Sequence, residues 1–74
     1  METIILKWLK LGFLYCKILS IDVLTKSLND FGQNICNFVV SKSSNGYLVK
    51  IFNENDLIKE FEFIIKNDII IDIK

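Results

Sequence analysis

The feature that most constrains this chain is a pair of apolar runs on either side of Ser43-Ser44-Asn45-Gly46. Residues 34–53 read Asn-Ile-Cys-Asn-Phe-Val-Val-Ser-Lys-Ser-Ser-Asn-Gly-Tyr-Leu-Val-Lys-Ile-Phe-Asn. Asn-Gly between β-rich runs is the strongest short hairpin signal, because both residues tolerate positive φ. A tight turn at 43–46 sets Val40 opposite Val49 and Phe38 opposite Ile51. A turn centred on Asn45-Gly46 instead shifts the pairing by two and leaves each side chain on its own face. One face therefore carries Cys36, Phe38, Val40, Tyr47, Val49 and Ile51.

Upstream, Ile4, Trp8, Leu11, Tyr15 and Ile18 recur by threes and fours, with Lys7, Lys10 and Lys17 on the opposite side. That spacing predicts an amphipathic helix that turns this apolar stripe inward. Gly12 is a weak point, costing about 1 kcal/mol relative to Ala. A strand over 3–11 is the competing reading. Ser20 can cap a second helix with Asp22 in its positive first turn. Ile21, Leu24, Leu28 and Phe31 then face inward, Asp22, Thr25, Lys26 and Asn29 face out, and Gly32 serves as the C′ residue. The second helix can also be a continuation of the first.

Downstream, Asn53-Glu54-Asn55-Asp56 is a turn cluster. Residues 57–66 fit a helix capped by Asp56 or a strand. The Phe61-Glu62-Phe63 alternation favours the strand, with Phe61, Phe63 and Ile65 inward. A three-residue turn at Lys66-Asn67-Asp68 pairs Ile65 with Ile69 and Phe63 with Ile71, and Ile73 completes the inner face. The expected fold is α+β, in one domain spanning 1–74. One or two N-terminal α-helices pack on a three- to four-stranded, mostly antiparallel β-meander.

The other sheet face should alternate polar, and Asn37, Lys50, Glu60, Glu62 and Asp72 do so. Ile35, Val39, Leu48, Phe52, Ile58, Ile64 and Ile70 do not. These seven are the candidate interface, for a protein partner or for a homo-oligomer. They are core residues instead if the register differs. The C-terminal strand is a candidate open edge for strand addition. A chain of 74 residues with zero formal charge and 51% hydrophobic residues is itself prone to associate.

Composition removes most chemistry. There is no His, Arg, Pro or Ala. The commonest acid–base group and the bidentate phosphate clamp are thus missing. Two cysteines and no His make no zinc set. Cys16 and Cys36 are expected to be buried, reduced thiols that act as small hydrophobes, with a disulfide between them or a metal or redox role as the alternatives. The 53–56 cluster lacks the Gly and spacing of a calcium loop. Ser43-Ser44-Asn45-Gly46 lacks the ending of a phosphate loop. Paired carboxylates such as Glu60 and Glu62 read as solvated surface. No cofactor, metal or small-molecule substrate is expected.

Function follows only in outline: a non-enzymatic interaction module, such as an inhibitor or accessory subunit. Ile-, Lys- and Asn-rich usage without Ala, Arg or Pro fits an AT-rich genome, and with the small size suggests a phage or other mobile element. Nucleic-acid binding is one alternative, with aromatics and Lys42, Lys50 and Lys59 on the sheet. The zero net charge and the acidic residues of 21–31 oppose it. A membrane-peripheral role through residues 3–18 is the other, with Trp8, Phe13 and the lysines. A helix covering the sheet is the plainer reading of those residues. Glu2 at the start and the lack of Ala disfavour a signal peptide, and three lysines interrupt any spanning stretch. A reducing, cytoplasmic setting is therefore expected.

Overall fold

The structure, a computed structural model, describes residues 4–32 and 36–74. Two helices precede four strands: α1 (Ile4–Phe13), α2 (Ile21–Gly32), β1 (Asn37–Ser43), β2 (Gly46–Asn53), β3 (Asp56–Lys66) and β4 (Ile69–Ile73). The strands form one antiparallel sheet in the order β1-β2-β3-β4. Both helices cover the same face, α2 against β1 and α1 against β4. This is the α+β meander the periodicities predict. Residues 3–11 fall to the helix from Ile4 onward, and 57–66 to a strand.

The hairpin has its expected register, with Val40 opposite Val49 and Phe38 opposite Ile51. Its turn is centred on Ser44-Asn45, and Gly46 alone of the four turn residues has positive φ, 157°. A Cβ on Gly46 would collide with the carbonyl oxygen of Phe63 and with Ile65. Beside it the Ile65 N–H donates to the Asn45 carbonyl at 2.9 Å, which ties the turn to β3. Glycine is needed here because β3 runs past the turn at backbone contact.

The core layer joins Phe38, Val49, Ile51, Phe61, Phe63, Ile70 and Ile73 of the sheet to Leu9, Phe13, Leu24 and Leu28 of the helices. Phe63 is fully buried and meets Phe13 edge-on at 6.2 Å between centroids. Each such side chain contributes about 1.5–3 kcal/mol on burial. α2 is close to expectation. Its Ser20 hydroxyl oxygen accepts from the Val23 N–H at 3.2 Å, and Leu24 and Leu28 are buried. Thr25 is half-buried rather than outward, its hydroxyl donating to the Ile21 carbonyl at 2.8 Å. Gly32 is the last residue of α2, not the one beyond it. A Cβ there would lie 2.7 Å from the Phe38 ring, so close helix–strand approach accounts for it.

α1 is rotated relative to expectation. It turns Leu9 and Phe13 into the core, with Ile5 and Leu6 half-buried beside them. Ile4, Trp8, Leu11 and Tyr15, the expected inner stripe, are exposed; of that set only Ile18 is buried. The helix carries two apolar stripes, and the aromatic packing decides between them. Phe13 meets Phe63 of the sheet edge-on, while Phe31 of α2 packs between Phe13 and the outer Trp8. Gly12 does not kink the helix. A Cβ on it would lie 2.9 Å from the Phe31 ring, so it makes room for that ring.

The β3–β4 register also differs. The turn has two central residues, Asn67 and Asp68, both with positive φ (54° and 64°), as in a type I′ turn. Lys66 therefore faces Ile69 and Ile65 faces Ile70. The next pair is Ile64 with Asp72, so Ile71 is an extra, bulged residue before Phe63 meets Ile73. Ile70 is consequently core, while Ile69 and Ile71 are exposed. Placing Ile70 on the outer face was the error of a three-residue turn.

The edge of β4 is partly occupied. After α1 the chain passes along it: Tyr15 N–H donates to the Ile70 carbonyl (2.7 Å), Ile70 N–H to the Cys16 carbonyl (3.0 Å), and Ile18 N–H to the Asp68 carbonyl (2.6 Å). Further on, the Asp72 carboxylate accepts from the Ile73 N–H at 2.8 Å. The expected open edge on β4 is thus covered over residues 68–70, and β1 forms the other edge. There Asn29 Oδ1 accepts from the Phe38 N–H at 3.2 Å. The outward backbone of Val40 and Lys42 has no partner among the described residues.

Candidate interaction surface

The outer sheet face is built from rows set by the register. One row runs Asn37, Phe52, Leu57; the next Val39, Lys50, Glu60; the next Ser41, Leu48, Glu62; and the last Ser43, Gly46, Ile64, Asp72. Between Ile51–Lys59 and Phe52–Leu57 the register slips, so Leu57 and Ile58 both stand against Phe52. Bulges increase local twist and re-aim side chains. This one gathers Phe52, Leu57 and Ile58 at one end of the face.

Of the seven expected interface residues, Val39 and Ile58 are exposed, at 52% and 48%. Leu48, Phe52 and Ile64 are half-buried on the same face. Ile70 belongs to the core, and Ile35 lies outside the described residues. Two residues missed in the sequence join the face through bulges, Leu57 at 51% and Ile71 at 41% exposed. Nothing in the sequence marks either bulge. No described element covers this face.

Charges stand in the two middle rows and, with Asp72, in the last. Lys50 faces Glu60 directly, and Glu62 lies one row on. The face is thus apolar at the Phe52, Leu57 and Ile58 end, with charges of both signs in the rows beyond it. At one end Ser43, Asn45, Gly46, Ile64, Lys66 and Ile71 help to line an open groove of about 520 Å³. The Ser43 hydroxyl beside it is buried without a hydrogen-bond partner among the described residues.

Both cysteines are free. Cys16 is exposed rather than buried, because the chain leaves α1 there to reach β4; its thiol contacts the Gly12 carbonyl at 3.6 Å. Cys36 is half-buried, and burial pushes its thiol pKa up.

Compared with known protein families, curated proteins and solved structures, the chain matches none.

Proposed function

We propose that this protein is a small, non-enzymatic binding module that pairs with a second copy of itself through the outer face of its sheet. The observation that carries this is the cluster of Val39, Phe52, Leu57 and Ile58 on a face that no described element covers. Large apolar side chains gathered on one face mark interaction sites far better than scattered exposure does.

The charge pattern supports a second copy as the occupant. A two-fold interface sets each patch against itself, so it needs both signs within one patch. Lys50, Glu60 and Glu62 supply them. The molecule measures 33 × 29 × 21 Å, so a broad face has room for the roughly 800 Å² per partner that stable interfaces bury. The absence of His and Arg from the sequence supports the non-enzymatic part.

The test is solution mass by light scattering, on wild type and on a Val39→Glu, Ile58→Lys double variant. Both sites are exposed, so the variant should keep the wild-type far-UV circular dichroism. A dimeric wild type and a folded, monomeric variant are expected. A wild type that stays monomeric at high micromolar concentration refutes this reading.

A further inference from the structure

The second uncovered apolar surface lies on the opposite, helical side. Ile4 and Leu11 are among the most exposed side chains described, at 88% and 85%. With Trp8, 40% exposed and covered on one side by Phe31, they form one stripe of α1, at i, i+4 and i+7. Tyr15 and Leu19 extend the exposed apolar surface beyond the helix end. A soluble helix usually turns one such stripe inward and keeps the other side polar. α1 already buries Leu9 and Phe13 and still presents this one outward.

The charges around the stripe identify what fits it. Lys7, expected on the opposite side, stands three residues after Ile4 and four before Leu11, which puts it at the stripe's edge; Lys17 follows beyond the helix, exposed. Residues 4–19 contain no carboxylate; the helical layer carries Lys7, Lys10, Lys17 and Lys26 against only Asp22 and Asp30. Packing two copies through this face would bring lysines against lysines. An anionic bilayer answers both features at once. Apolar side chains enter the acyl boundary, while lysine stems reach back to the headgroups. Among the described residues no helix is long and apolar enough to cross a membrane, so such contact is made from the surface.

We infer that the outward face of α1, formed by Ile4, Trp8 and Leu11 with Lys7 at its edge, docks on anionic lipid surfaces. Trp8 is the only tryptophan in the chain and lies in the docking face, so it reports directly.

The experiment is co-sedimentation of the full chain with phosphatidylcholine vesicles, with or without phosphatidylglycerol, alongside Trp8 emission. Binding to the anionic vesicles with a blue shift is expected, weakening as salt screens the lysines. Leu11→Glu should lower the affinity by about tenfold or more without changing the circular dichroism. Lys7→Glu should weaken binding to anionic vesicles only. The Val39→Glu, Ile58→Lys variant should bind vesicles as wild type does, which separates this inference from the dimer reading. Failure of wild type to bind anionic vesicles overturns the inference, as does equal binding by Leu11→Glu. A Leu11→Glu variant that changes solution mass, with vesicles ignored by the wild type, would assign this face to contact between copies instead.

Discussion

Phe31 stacks on Trp8 with ring centroids 4.2 Å apart and the ring planes inclined by 31°. Its other neighbour is Phe13, edge-on at 5.0 Å. One α2 side chain thus spans both stripes of α1, touching Trp8 of the outer and Phe13 of the inner, and so restrains the rotation of the helix. Phe31→Ala should cost about 2–3 kcal/mol, the low end for a phenylalanine because the ring is only half-buried. Urea unfolding measures the cost. Trp8 emission should move to longer wavelength as the indole loses its cover. A cost below about 1 kcal/mol would mean the ring does not hold the helix.

Gly46 gives a sharper case. A methyl group there meets the Phe63 carbonyl, which is backbone and cannot swing aside, and the φ of 157° is unfavourable for any L side chain. Gly46→Ala should therefore destabilise by about 2–4 kcal/mol. The neighbouring exposed Ser44→Ala should change stability by less than about 0.5 kcal/mol. Thermal melts of the two variants compare them directly.

The β4 bulge predicts opposite outcomes for adjacent isoleucines. Ile70 is fully buried and Ile71 is 41% exposed. Ile70→Glu puts an unpaired carboxylate in the core and should leave the chain unfolded or destabilised by more than about 4 kcal/mol. Ile71→Glu should cost about 1 kcal/mol or less. The three-residue turn would exchange these outcomes, so two circular dichroism melts decide the register.

The thiols should label at different rates. Cys16 is exposed and should react with an aromatic disulfide reagent in the native state. Cys36 is half-buried and its pKa is raised by burial, so less of it is thiolate at a given pH. Its reaction should be slow at neutral pH and accelerate as pH rises. The linkage has a definite sign. Because the folded state holds the Cys36 proton more tightly, stability is complete below the ordinary thiol range and falls as pH rises through it. Cys36→Ser should remove that alkaline decline.

Much of this architecture was legible in the residues because period-two patterns survive small errors of turn placement. Phe38, Val40, Val49 and Ile51 fall on one face under either hairpin turn, and the structure puts them there. β4 had no such protection. Ile69, Ile70 and Ile71 are identical, so no polar residue marks which of them faces in. Asn67-Asp68 did hold the turn signal, as two adjacent residues that tolerate positive φ. In α1 the difficulty was an excess of apolar residues. Ile4, Trp8 and Leu11 form as good a stripe as Ile5, Leu9 and Phe13, and only tertiary contacts such as Phe13 against Phe63 separate them. On the outer face Val39 and Ile58 followed from alternation, whereas Leu57 and Ile71 depend on bulges that alternation hides.

The pairing of the chain after α1 with β4 also sets an order of events during synthesis. α1 is the first described element to leave the ribosome, and its sheet partner β4 is the last. Until β3 and β4 emerge, Leu9 and Phe13 lack the strands they lie against, and the nascent chain presents both apolar stripes of α1 together. A chaperone or a bilayer that captures the growing chain would meet a helix greasier than the one the finished fold displays. The closing hydrogen bonds, from Tyr15 to Ile70 and from Ile70 to Cys16, form only after the β3–β4 turn has been made. Completing the sheet is therefore the step that withdraws half of that helix from view.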